Sequence, residues 1–219
     1  ERMFVTYDDV KDAPGLSPDI SKEYLAASIR SLEDSAAREN ASPRLLLFLS
    51  AAYETAGMYT QSESVLERAV AMGPQKEILV FQLASIKQRL GKIDEALALL
   101  RGVYEAVPAF PEAGLRYGAF LLEAGRVEEG VAVLESVPLQ EARGGHLEAL
   151  ASMWAELGRY EKVTEILQMR IDRGGNDPQL YASLAAAYIK LGDIETAKSV
   201  LEKGKSAFPE QEEAFTALL

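Results

Sequence analysis

The sequence predicts an all-α chain of stacked antiparallel helical hairpins, and three observations predict it. Gly57, Gly91, Gly125, Gly158 and Gly192 recur at intervals of 34, 34, 33 and 34 residues. Each follows a run whose apolar residues fall at three- and four-residue steps, and each is followed two positions later by Tyr59, Ile93, Val127, Tyr160 or Ile194. Pro74, Pro108 and Pro209 punctuate the other end of the period, with Gly175 in the matching place of the fourth repeat. A fixed period of this length marks a repeat architecture, because one hairpin cannot bury its own apolar face and needs a neighbour to do so.

The elements follow in order. Residues 1–16 show no clear period and read as a linker or irregular tail. Residues 17–41 carry Leu25, Ser28, Leu32 and Ala36, like the second helix of a repeat without its first, with Ser17-Pro18 as a start signal. Five full repeats occupy 43–76, 77–110, 111–143, 144–177 and 178–211. Ser42-Pro43 and Asp177-Pro178 open the first and the fifth: the side-chain oxygen accepts from an otherwise free helix N–H, and proline suits the first helical position. In the fifth repeat Tyr181, Leu184, Ala185 and Tyr188 make one apolar face. Gly192 offers the left-handed conformation that ends a helix, and Ile194, Ala197, Val200, Leu201 and Phe208 carry the second helix. The third repeat reaches Pro138 early and Gly144-Gly145 opens the fourth, so a loop is expected over 138–145, either as repeat drift or as a hinge. Residues 212–219 begin a further or capping helix, with Phe215, Leu218 and Leu219 expected at the surface.

In register, the slots read Leu46, Leu49, Ser50, Tyr53, Gly57, Tyr59, Ser62, Leu66, Ala69 and Pro74 in the first repeat. They read Val80, Leu83, Ala84, Lys87, Gly91, Ile93, Ala96, Leu100, Val103 and Pro108 in the second. The third holds Tyr117, Gly118, Leu121, Gly130, Leu134 and Val137; the fourth holds Leu147, Leu150, Ala151, Trp154, Val163, Leu167 and Arg170; the fifth ends on Leu201, Gly204 and Pro209. This pattern resembles the tetratricopeptide repeat over roughly three quarters of the chain. The resemblance implies a right-handed superhelical solenoid whose concave face is lined by the first helix of each repeat, acting as a protein-binding scaffold rather than an enzyme. The small residues have a physical reason: Ala84 and Ala96, Ala185 and Ala197, and most tightly Gly118 and Gly130 are expected where the two helices of a hairpin cross.

The residue after the first core slot and the one four further on are expected to face the groove. These are Leu47 and Ala51, Phe81 and Ser85, Leu115 and Ala119, Glu148 and Ser152, Ala182 and Ala186, with Glu54, Gln88, Arg89, Glu123, Glu156 and Lys190 as a polar rim. Leu47, Phe81 and Leu115 form an apolar line at 34-residue spacing, which either receives an apolar segment of a partner protein or packs against neighbouring helices. Some tetratricopeptide domains grip a terminal carboxylate with cations on this face; the matching positions are Arg44, Leu47, Ala51, Gln82 and Ser85, and only Arg44 is basic, which argues against that use.

A formal net charge of -11 without a basic cluster disfavours nucleic acid and anionic membrane as partners. The absence of cysteine removes disulfides and thiolate chemistry. No window has the ~18 apolar residues that cross a bilayer. His146 is the sole histidine and shows no matched partners in sequence. Glu128-Glu129 and Glu212-Glu213 are adjacent and point apart on a helix. Asn40-Ala41-Ser42 fits a glycosylation sequon, followed by Pro43. No cofactor or metal site is expected. The stretches 74–78 and 107–113 also resemble the tetratricopeptide tails of bacterial O-antigen ligase or polymerase-like membrane proteins, which implies a periplasmic regulatory or assembly role in cell-surface polysaccharide synthesis. Glu1 in place of Met fits a fragment or processed form, in the cytoplasm or, behind an upstream membrane segment, the periplasm. Self-assembly through the chain ends is the remaining alternative.

Overall fold

The computed structural model describes residues 18–38, 41–73 and 76–217. It falls into two compact units, Glu1–Ala106 and Val107–Leu219. Among the described residues the regular elements are all helices, without strands. The tail at 1–16, Ser17, Asn40, Pro74, Leu218 and Leu219 lie outside the described residues, so the expectations placed on them are not met by any structural observation.

The first unit contains α1 (Pro18–Ala36), α2 (Pro43–Thr55), α3 (Tyr59–Met72), α4 (Glu77–Arg89) and α5 (Ile93–Ala106). Each helix packs on the next. The Ser42 side chain accepts from the Leu45 N–H at 3.2 Å, and Pro43 starts α2 as the sequence predicts. At the α2–α3 turn the Met58 N–H donates to the Tyr53 carbonyl at 2.8 Å, which wraps the chain back over the helix end. That closure needs a left-handed residue, and Gly57 sits at φ 72°; Gly91, Gly125, Gly158 and Gly192 repeat it at φ 75°, 75°, 68° and 79°. The crossing of α2 and α3 brings Ser50 and Ser62 together in the small slots, their hydroxyls hydrogen-bonded at 2.9 Å while buried. Ala84 and Ala96 take the same slots of α4 and α5 and are fully buried.

The second unit contains α6 (Pro111–Glu123), α7 (Val127–Glu135), α8 (Gly144–Glu156), α9 (Tyr160–Asp172), α10 (Pro178–Lys190), α11 (Ile194–Ala207), a 3-10 turn (Pro209–Gln211) and α12 (Glu212–Thr216). Its core is one continuous cluster that includes Leu134, Leu147, Leu150, Trp154, Ile166, Leu184 and Leu201. Burying each such side chain stabilises the fold by about 1.5–3 kcal/mol. At the α6–α7 crossing, a Cβ on Gly118 would stand 2.6 Å from Leu134 Cδ2, and one on Gly130 would stand 2.8 Å from Leu122 Cδ2. The paired glycines therefore set how closely these two helices approach.

Two expectations are corrected here. The irregular connection runs over 136–143, and Gly144 and Gly145 lie inside α8 rather than in the loop. Arg173 pins that connection: its guanidinium donates to the carbonyls of Ala142 and Leu139 and to Gln140 Oε1 at 3.0–3.1 Å. Phe215, expected at the surface, is buried at 2% exposure. Its ring lies over Gly204, where a Cβ would come within 2.8 Å of it. A side chain held by its own unit does not present itself to a second chain.

Candidate functional site

The structure distributes the sequence-predicted groove residues unevenly. In the first unit Phe81 is buried at 4% exposure, and Leu47 is half-buried against Leu46 and its neighbours. Ala51 is exposed and Ser85 half-buried. In the second unit Leu115 is also buried at 4% and belongs to the core cluster. Ala119 and Ala182 are half-buried, whereas Glu148, Ser152 and Ala186 are exposed. Of the apolar line, Phe81 and Leu115 thus face inward in the folded chain. The open positions are those where the sequence places small or polar residues.

The rim follows chemistry rather than the repeat. Glu54 is half-buried; desolvation raises its carboxyl above the ordinary value, while the Ser50 hydroxyl and the Arg89 charge act the other way. The Arg89 guanidinium lies over the Tyr59 ring, 5.5 Å from its centroid. Gln88 is half-buried, and Glu123, Glu156 and Lys190 are exposed.

Four of the predicted residues come together in the second unit. Glu148, Ser152, Ala186 and Lys190 line a cleft of about 470 Å³ formed by α8, α9 and α10. Ser152 and Glu148 stand one helical turn apart on α8 with Ala155 further along, so one stripe of that helix faces the opening. Gln179, Ser183, Ala186 and Lys190 form the corresponding stripe of α10. Tyr160, Val163, Leu167 and Arg170 of α9 close the floor at the same helical spacing. Val163 and Leu167 make the middle of the floor apolar and the wall residues are small, so the cleft has room for side chains.

Its two ends differ. Near the start of α10, Asp177 caps the helix by accepting from the Gln179 N–H at 2.9 Å. Beside it Arg170 Nη2 donates to Glu148 Oε1 at 2.5 Å. The Arg170 side chain is 16% exposed and that of Glu148 59% exposed, so the carboxylate is the more open partner. At the far end Lys190 is exposed, and no hydrogen bond or ion pair holds its ammonium among the described residues.

Sequence reasoning missed Arg170, Asp177, Gln179, Ser183 and Tyr160 as lining residues. A signal existed for one of them: Arg170 fills a slot that other repeats give to Ala69, Val103, Val137 and Gly204. A long cation there cannot stay in an apolar crossing and must reach the surface. His146, without a partner in the sequence reading, has one in space: its Nε2 lies 3.1 Å from Glu112 Oε2, and its Nδ1 accepts from the Arg143 N–H at 3.4 Å. Both ring nitrogens are thereby occupied by the protein itself. Among the described residues no three histidines or carboxylates are grouped to hold a metal ion, and no helix is long and apolar enough to cross a membrane.

Comparison with known proteins bears on the fold. Two segments, 89–154 and 178–211, match models described as tetratricopeptide repeat. A crystal structure of MamA protein is similar at 14% identity and a TM-score of 0.56, covering 78% of this chain and 94% of that one. A tetratricopeptide repeat protein from Parabacteroides merdae is similar at 19% identity and a TM-score of 0.54, covering 86% of this chain and 75% of that one. At such identities the likeness is one of fold, an all-α helical-repeat solenoid. No curated protein matches the sequence, and none of these similarities supports the likeness to O-antigen ligase or polymerase tails.

Proposed function

We propose that this chain, a tetratricopeptide-repeat protein, holds a linear segment of a partner protein in the cleft between α8, α9 and α10. The fold is that of a protein-interaction scaffold; the finer reading rests on one observation, the convergence of Glu148, Ser152, Ala186 and Lys190 on a single opening. Small wall residues leave room for a partner's side chains, and the apolar floor residues Val163 and Leu167 reward their burial. The floor is shaped by core residues, so it is formed before the partner arrives and little ordering entropy is lost on its side.

The test is co-purification from the source lysate with three proteins: wild type, Ala186→Trp, and Lys203→Trp. Ala186 is an exposed wall residue and Lys203 is exposed on α11 away from the cleft lining, so both tryptophans are tolerated and circular dichroism checks this. A partner kept by wild type and Lys203→Trp but lost by Ala186→Trp is the expected result. A partner retained equally by all three moves the site elsewhere on the chain.

A further inference from the structure

We infer that the cleft selects a segment carrying opposite charges at its two ends, a basic side chain against Asp177 and Glu148 and an acidic one against Lys190, with small or aliphatic residues between. This deepens the preceding proposal and rests on it. The evidence is the arrangement of charge along α10. Asp177 spends one carboxylate oxygen on the Gln179 N–H, and that carboxylate makes no other hydrogen bond or ion pair among the described residues. Glu148 is the solvent-facing half of its ion pair, since Arg170 is largely covered. A cation arriving from solvent therefore meets two carboxylates before it meets the guanidinium. Lys190, at the other end, has no ion pair to give up among the described residues. Between them the walls offer only Ser152, Ser183 and alanines, and a charge placed there would lie over Val163 and Leu167 with nothing to compensate its lost hydration.

Spacing sets the length of the segment. Asp177 caps α10 and Lys190 ends it, and thirteen residues of helix span about 20 Å. An extended chain advances about 3.3 Å per residue, so the two charges of the bound segment stand about six positions apart. A segment with two like charges at this spacing gains one attraction and suffers one repulsion, which is how like-charge juxtaposition excludes wrong partners.

The experiment uses the full chain and a random heptapeptide library displayed on phage, counter-selected against Ala186→Trp. Enriched peptides are then made with a fluorophore and titrated by anisotropy. The expected peptides pair Lys or Arg with Asp or Glu about six positions apart. Lys190→Glu weakens them by about tenfold or more, and replacing the peptide's acidic residue by lysine restores binding to that variant. Peptides that bind wild type, lose binding in Ala186→Trp, and are indifferent to Lys190→Glu overturn this inference and leave the cleft as a binding site. A library that yields nothing, or only peptides that Ala186→Trp still binds, overturns the site itself and the inference with it.

Discussion

Lys87 occupies a slot that the other repeats fill with Tyr53, Leu121, Trp154 and Tyr188. It is buried at 6% exposure in the first unit, where it donates to Glu63 and Glu95 at 2.7 Å and to Glu67 at 3.1 Å, while Lys92 also reaches Glu63. Burial alone favours the neutral amine, but the three carboxylates outweigh it and push the Lys87 pKa up. Burial likewise opposes ionisation of Glu63, and the two ammonium groups outweigh it and hold the carboxyl below its usual value. Without Lys87 the buried Glu63 keeps Lys92 alone, so Lys87→Ala is expected to destabilise the chain in urea unfolding by less than the ~3–5 kcal/mol of a wholly unpaired buried charge, and Lys87→Met, which keeps most of the side-chain volume, is expected to cost less than Lys87→Ala. The pH dependence has two signs. Glu63 binds its proton more weakly when folded, so its contribution is present above the unfolded carboxyl pKa and is lost as pH falls through the lower folded one. Lys87 binds its proton more strongly when folded, so its contribution is complete below the unfolded lysine pKa and is lost as pH rises through the higher folded one. Tyr53 adds to the alkaline side: burial, then its hydrogen bond to Glu33 at 2.6 Å, push its phenol up to about 12. A spectrophotometric titration is expected to show one tyrosine ionising near pH 12, and Tyr53→Phe to abolish it. That variant also loses the link from α2 to α1, at a cost of about 0.5–1.5 kcal/mol.

At the scale of the element, the hairpin α6–α7 depends on having no side chain at its crossing. Gly118→Ala places a methyl 2.6 Å from Leu134 Cδ2, and overpacking of this kind costs about 1–3 kcal/mol. A chemical-denaturation series of Gly118→Ala, Leu134→Ala and the double variant checks it: the double variant is expected to be more stable than the sum of the two losses, because the shortened Leu134 leaves the methyl its room. Gly102, helical with no atom near its missing Cβ, is the control, and Gly102→Ala is expected to be neutral or stabilising by up to about 1 kcal/mol. Helix starts are a second elementary feature. Asp193 accepts from the Thr196 N–H at 3.0 Å and from its hydroxyl at 2.7 Å, and these bonds hold its carboxyl below the usual range. The same arithmetic of free N–H groups explains Ser42 and Asp177.

At the scale of the molecule, each unit carries its own core. The cluster from Leu115 to Phe215 is made only of residues of the second unit. A fragment spanning 107–219 is therefore expected to keep a helical spectrum and a cooperative thermal transition, read by circular dichroism. Because all the cleft residues lie in that stretch, the fragment is also expected to bind the peptides selected on the full chain with unchanged affinity. A non-cooperative melt, or loss of binding, contradicts this account of where the core and the site reside.

What the sequence by itself determined is local. The five glycines, the Ser42-Pro43 and Asp177-Pro178 starts and the small slots state the hairpin, because a left-handed turn, a free N–H and a close crossing each admit few residue types. Gly118 and Gly130 were legible as a tight crossing for that reason. Tertiary structure alone decided which groove positions remain accessible. Phe81 and Leu115 share the periodicity of Glu148 and Ala182, yet they are buried: a large apolar residue on a helix edge takes whatever neighbouring surface it can reach, and spacing along one helix does not say what stands across from it. Phe215 turned inward onto Gly204 for the same reason. The union of Glu148 with Arg170, twenty-two positions apart, depends on how the two helices of one hairpin are set against each other, and that of His146 with Glu112 on how one hairpin is set against the next. Period records which residues share a face; only packing in three dimensions decides whether that face meets water or protein.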